Sequence, residues 1–273
     1  MKKILSIALA LTMLLALGVT AFAADKDPVA DRTSFIMGID PEYPPFSYLG
    51  DDGNYTGFDV EVCQAVCDLL GWKLEIFGVN WDEKLVQLDS MECDCVWSGM
   101  TILDSMKEAG YNISEPYYDN TQVLVVKADS GFASSADLAG KVVAVQLGTS
   151  GEALLGDEEG QLALAKTFEG GAPVPMENFT VCGTELAAGG VDAVVVDLPV
   201  AQNLAEKFGG MVILEETLGS EQYGICFRNG DDELCAKVQE GILKLVEDGT
   251  YLALAQKYGL DENVLCLLYN KAE

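Results

Sequence analysis

With 273 residues, 49% of them hydrophobic, the chain can bury cores for two ordinary domains, which excludes a disordered protein. Sixteen basic residues against forty-four acidic ones set a formal net charge of −28. A field of that sign repels nucleic acid and anionic membrane surfaces, so neither is expected as a partner, while a cationic ligand would be attracted.

The first 23 residues have the three parts of a secretory signal: Lys2 and Lys3, an apolar run from Ile4 to Leu17, and Ala21-Phe22-Ala23 before the expected cut. Cleavage there starts the mature chain at Ala24 and, by removing two lysines, takes the charge from −28 to −30. No later stretch reaches the roughly 18 uncharged apolar residues of a membrane span. The protein is therefore expected to be exported, to the periplasm or the cell exterior, unless the segment stays uncleaved as an anchor.

After a polar tether at 24–32, Ser34 to Ile39 reads as a strand, and Asp40-Pro-Glu-Tyr-Pro-Pro-Phe46 as a loop stiffened by its prolines. Asp51-Asp-Gly-Asn is a turn. Asp59 is expected to cap a helix whose apolar Val62, Val66 and Leu70 recur every four residues until Gly71. Trp72, Leu74 and Ile76 alternate as in a strand, and a short helix follows from Asp82 to Leu88.

The stretch from Asp94 to Met106 is where polar chemistry meets a buried strand. Cys95, Val96 and Trp97 form an apolar run, Ser98 and Gly99 break it, and Thr101-x-x-Asp104 has the spacing of a capping box. A strand end facing a helix N-terminus is where open α/β sheets bind ligands, so this stretch is expected at the floor of a cleft. The pattern recurs about a hundred residues on, where Thr184 to Ala188 leads into Val191-Asp-Ala-Val-Val-Val-Asp197. Each copy is a helix, a tight turn, an x-Asp-x start and an apolar strand ending on a polar residue, which implies two related α/β lobes.

Between the copies, Gln122 to Lys127 is long enough to cross from one lobe to the other, and Leu138 to Val145 opens the second lobe with a parallel strand. Thr149-x-x-Glu152 is a second capping box, with N–H groups near Ser150 free for a carboxylate. Glu221 to Phe227 is a return strand, and Leu234, Val238, Ile242 and Leu245 form the stripe of a closing helix, followed by another from Thr250 to Tyr258. Most of the eight cysteines read as small buried residues, since Cys63 and Cys67 share a helix face and Cys93 and Cys95 a strand face with parallel side chains. Disulfides and a metal cluster are the alternatives; with no histidine and no CxxC pair, no metal is expected.

DPEYPPFSY at 40–48, TGFDVEV at 56–62, WDEKLVQL at 81–88 and SGMTI at 98–102 resemble segments of the type II periplasmic solute-binding proteins of ABC transporters, in the amino-acid-binding branch. SEPYYDNTQVLVVK, GKVVAVQLGTSGE, VDAVVVDLPVA and DGTYLALAQKYG continue the likeness in family order. The resemblance implies a two-lobe α/β fold, each lobe a central, mostly parallel sheet flanked by helices, with two hinge crossings. Lobe 1 would span 33–118 plus 223–270 and lobe 2 119–222. It further implies a monomer without a cofactor that closes on an amino acid or related small amine and docks on a membrane permease.

The same resemblance nominates the site. Tyr43 and Trp81 match rings that sandwich the ligand's side chain, against the alternative that both belong to the core. Asp197 matches the carboxylate that takes the α-ammonium group; its alternative is to cap the helix at Leu198-Pro199. Ser98, Gly99 and Thr101 match positions that bind ammonium and carboxylate groups, Thr149 and Ser150 a second anion contact that is also a helix cap. Asp40 matches a contact to cationic side chains, or is an ordinary turn residue before proline, and Gln146 is a further candidate.

One position departs from the family. Relatives carry an arginine for the α-carboxylate five residues after the SGMT threonine, where this chain has Met106. Arg32 and Arg228 are the only arginines, both expected far from the cleft, and Lys107 is the nearest cation that could slide into the vacant place. The rival expectations are a ligand-sensing domain for a receptor and an enzyme resembling cyclohexadienyl dehydratase on the same fold.

Overall fold

The structure, a computed structural model, describes residues 28–265. The expected secretion signal and its cut site lie outside these residues. A 3-10 turn at Val29–Asp31 stands by itself, and the unit that begins at Arg32 holds every other described element.

That unit opens with β1 (Ser34–Ile39), as expected. The proline loop folds into a small antiparallel sheet of β2 (Glu42–Tyr43), β3 (Ser47–Leu49) and β4 (Tyr55–Thr56). Next come α1 (Phe58–Leu70), ended by a left-handed Gly71, then β5 (Lys73–Gly78), α2 (Lys84–Asp89), β6 (Cys95–Val96), α3 (Asp104–Glu108) and β7 (Asn112–Ile113). The long β8 (Tyr118–Lys127) leads to β9 (Val143–Gln146), α4 (Ser150–Gly156), α5 (Leu162–Ala165), β10 (Val174–Met176) and α6 (Phe179–Ala188). The chain closes through β11 (Ala193–Asp197), α7 (Leu198–Phe208), β12 (Met211–Tyr223), β13 (Cys226–Phe227), α8 (Asp232–Glu247) and α9 (Thr250–Lys257).

The strands build two five-stranded sheets of the same design, ordered β5-β1-β6-β13-β7 and β10-β9-β11-β8-β12. In the first, only β13 runs against the others; in the second, only β8 does. Each reversed strand is supplied from the other sheet: β8 follows β7 across residues 114–117, and β13 follows β12 across 224–225. The chain thus exchanges one strand at each of its two crossings, which makes both sheets mostly parallel and ties them together.

The internal repeat is visible in hydrogen bonds. Asp94 accepts the Ile36 N–H with its carboxylate at 2.7 Å and returns its own N–H to Ile36 O. Asp192 does the same to Val142, at 2.9 Å. The x-Asp-x signature therefore caps the edge of the neighbouring parallel strand where it begins. Asp94 also binds both arginines, Arg32 at 2.8 Å and Arg228 at 3.6 Å, which holds them away from the cleft.

Two local expectations are corrected. Asp59 does not cap α1, whose N-cap is Gly57; it lies inside the first turn and is fully buried. Thr101 does not cap α3, whose N-cap is Leu103; it pairs instead with Tyr223 across the crossing. The seven described cysteines are free thiols, all buried except half-exposed Cys235. Among the described residues no cluster of histidine, cysteine and acidic side chains could hold a metal ion, and no helix is long and apolar enough to cross a membrane.

Candidate ligand-binding site

Parallel strands end at the cleft between the sheets, and the chain places aromatic rings there first. Tyr43, buried on β2, stacks on Trp81 with centroids 6.5 Å apart and planes 9° from parallel, while Phe46 and Phe179 close around it at 5.5 and 6.1 Å. The ring faces carry negative potential, so a cation beside them is stabilised. Lys84 already uses one face: its Nζ lies 4.7 Å from the Trp81 centroid and donates to Trp81 O at 2.9 Å and to Gly148 O at 2.8 Å. Burial lowers this ammonium to about 8.

The opposite wall is acidic. β8 lies between β11 and β12, and its alternate residues Asn120 and Gln122 face one way. Register sets Gln122 opposite Asp197 and Asn120 opposite Glu221. Asp197 Oδ1 accepts from Asn120 at 2.5 Å, Gln122 at 2.6 Å and the Tyr223 hydroxyl at 2.8 Å. The same two amides donate to Glu221 Oε1, at 2.7 and 2.9 Å. Burial, then repulsion from Glu221, push Asp197 up to about 8. Asp197 sits at the N-cap of α7, yet its side chain makes no capping bond and is turned to this network instead.

The SGMT loop forms the floor, held by groups already engaged with one another. Ser98 Oγ accepts from Asp40 N at 3.1 Å and pairs with Ser47 Oγ at 2.6 Å, fully buried. The Gly99 N–H donates to Asp59 Oδ2 at 2.8 Å, a carboxylate that also accepts from Tyr117 OH at 2.7 Å. Gly99 has φ +54°, and a Cβ there would lie 2.4 Å from the Tyr43 ring, so glycine is required both for the turn and for the ring's approach. The side chain of Ser98 and the N–H of Gly99 are thus committed to the protein itself. Thr101 borders the cavity.

Met106 is buried in the cavity wall where relatives would carry arginine, and Lys107 does not replace it. Lys107 points to solvent, 57% exposed, 3.8 Å from Asp104, because on the single turn of α3 the apolar thioether takes the inward position. Thr149 caps α4 by accepting from Glu152 N at 3.3 Å, but the expected capping box is only half formed, because the Glu152 carboxylate takes the Gly148 N–H at 2.8 Å and not that of Thr149. Ser150 accepts from Gln122 at 3.2 Å. Gln146 donates to Asp40 at 2.6 Å and accepts from Phe179 N at 3.1 Å; burial raises Asp40 against the bonds from Gln146 and Glu42 N.

Tyr43, Trp81, Gly99, Thr101, Gln146, Thr149, Ser150 and Asp197 therefore line one cavity of about 40 Å³, and Asp40 lines a neighbouring cleft. Ser98 lies behind it and Lys107 outside. The sequence reading missed Lys84, Phe179, Glu221, Tyr223 and the amide pair. Only the amides left a signal, as two polar residues on the face of β8 that otherwise carries Tyr118, Leu124 and Val126.

The sequence matches a family described as bacterial extracellular solute-binding proteins, family 3, over residues 35–261. The L-cystine-binding protein of Escherichia coli (strain K12) is 32% identical over 255 residues, covering 92% of each chain. A substrate-binding protein of an ABC uptake transporter from Streptococcus pneumoniae, solved with bound histidine, aligns with a TM-score of 0.78 at 26% identity, over 82% of this chain and 92% of that one. An ancestral amino-acid-binding protein, a precursor of cyclohexadienyl dehydratase, aligns with a TM-score of 0.71 at 31% identity, over 82% and 95% of the two chains.

Proposed function

The chain belongs to the bacterial extracellular solute-binding proteins of family 3, and from that premise we propose that it captures an amino acid or related small amine for an ABC importer. The observation that carries this reading is buried Asp197, which lines the same cavity as the Tyr43 and Trp81 rings and shares its amide donors with half-exposed Glu221. Both arginines are bound to Asp94, and Lys84, the one cation at the cavity among the described residues, is held by backbone carbonyls. A buried acid beside a second acid is costly to ionise, and an ammonium group supplies the compensating charge through charge-assisted bonds.

In this reading the two lobes, 33–118 plus 223–270 and 119–222, rock about the crossings, and ligand contacts to both walls favour the closed state. The closed monomer, exported to the periplasm or cell exterior, presents itself to a permease. The protein binds without turnover. The dehydratase precursor among its structural relatives makes prephenate and arogenate turnover the assay for the rival enzymatic reading.

Isothermal titration of the mature protein against the twenty amino acids and common amines should find at least one micromolar binder. Asp197→Ala should abolish that binding. Silence across both sets, or unchanged affinity in the variant, would overturn the reading.

A further inference from the structure

On the reading proposed above, that Asp197 holds an ammonium group, something must keep the negative charge on this acid and not on Glu221 beside it. The amide pair does not choose. Asn120 donates to Asp197 at 2.5 Å and to Glu221 at 2.7 Å, and Gln122 donates to the same two oxygens at 2.6 and 2.9 Å. Each amide nitrogen carries two hydrogens, so the pair serves both acids alike. Asp197 is 4% exposed and Glu221 half-exposed, so solvation by itself leaves the charge on Glu221. The Tyr223 hydroxyl breaks the tie, because it donates to Asp197, at 2.8 Å, and not to Glu221.

The second crossing places that hydroxyl. Tyr223 is the last residue of β12; its carbonyl accepts the Tyr117 N–H of the first crossing at 2.8 Å, and its backbone bridges to Thr101 on the floor. Its ring is fully buried, stacked on Tyr118 at 5.6 Å and edge-on to Phe46 at 5.5 Å. Packing therefore fixes the ring, and the hydroxyl is left to act on what it touches. On its other side the Tyr43 hydroxyl lies 2.8 Å away. With the Tyr223 hydrogen on Asp197, the hydrogen between the two phenols is that of Tyr43, so a chain of donors runs from Tyr43 through Tyr223 to Asp197 across the cleft. Each donor in such a chain polarises the next. Burial first, and then Glu221, push Asp197 up, and the hydroxyls of Tyr223 and Tyr43 act against both. Tyr118 is the further titratable group facing this acid, and its own hydroxyl accepts from Asn263 at 3.4 Å.

We propose that Tyr223 is the positioning residue of the ammonium site: its hydroxyl selects Asp197 over Glu221 as the charged acid and joins it to Tyr43 across the cleft. Asp197 lines the cavity, and Tyr223 stands behind it.

Nuclear magnetic resonance of isotope-labelled aspartate carboxyl carbons reads Asp197 directly in the ligand-free protein, with its signal assigned by its loss in Asp197→Asn. In Tyr223→Phe, which keeps the ring, the Asp197 midpoint should move up by about one pH unit, as loss of one bond to the charged form implies. Tyr43→Phe should move it the same way by less, and Tyr118→Phe should leave it in place. An unmoved midpoint in Tyr223→Phe, or an equal shift in Tyr118→Phe, would overturn the proposal. Titration of the twenty amino acids and common amines into wild type and Tyr223→Phe separates this from the ammonium reading. Every member that binds the wild type should bind the variant about tenfold more weakly at pH 7, and the ratio should shrink toward one above about pH 9. A ratio that stays the same at every pH would reduce Tyr223 to a support of the local fold and overturn its role in placing charge. If no member binds the wild type, the ammonium reading falls, and the midpoints alone decide whether Tyr223 sets the charge of Asp197.

Discussion

Asp197 shows how a single residue can be specified by pattern and yet tuned by neighbours the pattern does not name. Its place at the end of an apolar strand before Leu198-Pro199 was readable, because a carboxylate there interrupts a run of β-branched residues. Its partners were not. Glu221, Asn120 and Gln122 reach it through the register of β8 with two other strands, and register is a property of pairing, not of any one segment. Lys84 was hidden for a related reason: at the start of a helix it resembles a solvated lysine, and only the approach of Gly148 from the other sheet buries it. The tuning has a measurable sign. Asp197 stands at about 8 in the ligand-free protein, so near neutrality the site holds a proton that an incoming ammonium must displace. Affinity should fall about tenfold for each pH unit below about 8 until the liganded pKa is reached. Titration at pH 6 in two buffers of different ionisation heat should report about one proton released per ligand. Affinity constant from pH 6 to 8 would mean that Asp197 is ionised before the ligand arrives.

At the scale of elements, the helix and strand periodicities were legible wherever a segment buries one face: β1, α1 and the stripe of α8 lie where the pattern placed them. The misreadings cluster where a short motif has two uses. Thr-x-x-Asp can open a helix, but at 101–104 it ends a strand bridge, and Asp59, placed as a cap, became a clamp. That clamp joins α1 to the site floor, because the Asp59 carboxylate at the first helical turn accepts the Gly99 N–H. The helix dipole favours its charge, but complete burial opposes it more strongly and raises it from 3.8 to about 7. An acid raised on folding binds its proton more tightly in the native state. Its contribution is therefore full below pH 3.8 and is lost as pH rises toward about 7. The full shift corresponds to on the order of 4 kcal/mol. Asp197 adds to the same trend. Urea midpoints should drop between pH 5 and pH 8 for the wild type, and Asp59→Asn, which keeps an acceptor for Gly99 and stays neutral, should flatten much of that drop. A midpoint that rises with pH would contradict this account.

At the scale of the whole molecule, two covalent crossings leave the sheets free to move against each other, and the contacts across the cleft decide how far. Lys84 Nζ reaches Gly148 O at 2.8 Å, Gln146 reaches Asp40 at 2.6 Å, and Thr180 reaches Glu42 at 2.8 Å, each pairing residues from opposite sides. Gly148 comes so near that a Cβ on it would lie 2.7 Å from the Asp82 Cα, with φ at +74°. The described arrangement is therefore a closed one, held by these polar links and by the Phe179 ring against Tyr43. Such links shift an equilibrium without forbidding its other side. Lys84→Met keeps the stem over Trp81 but removes the bond to Gly148. The open fraction should rise, and apparent affinity should fall in proportion to the closed fraction lost, by about tenfold if one charge-assisted bond sets the balance. Small-angle scattering of the ligand-free variant should show a larger radius of gyration than the wild type, and saturating ligand should bring the two together. Equal radii without ligand, combined with a tenfold loss of affinity, would instead place Lys84 in direct contact with the ligand.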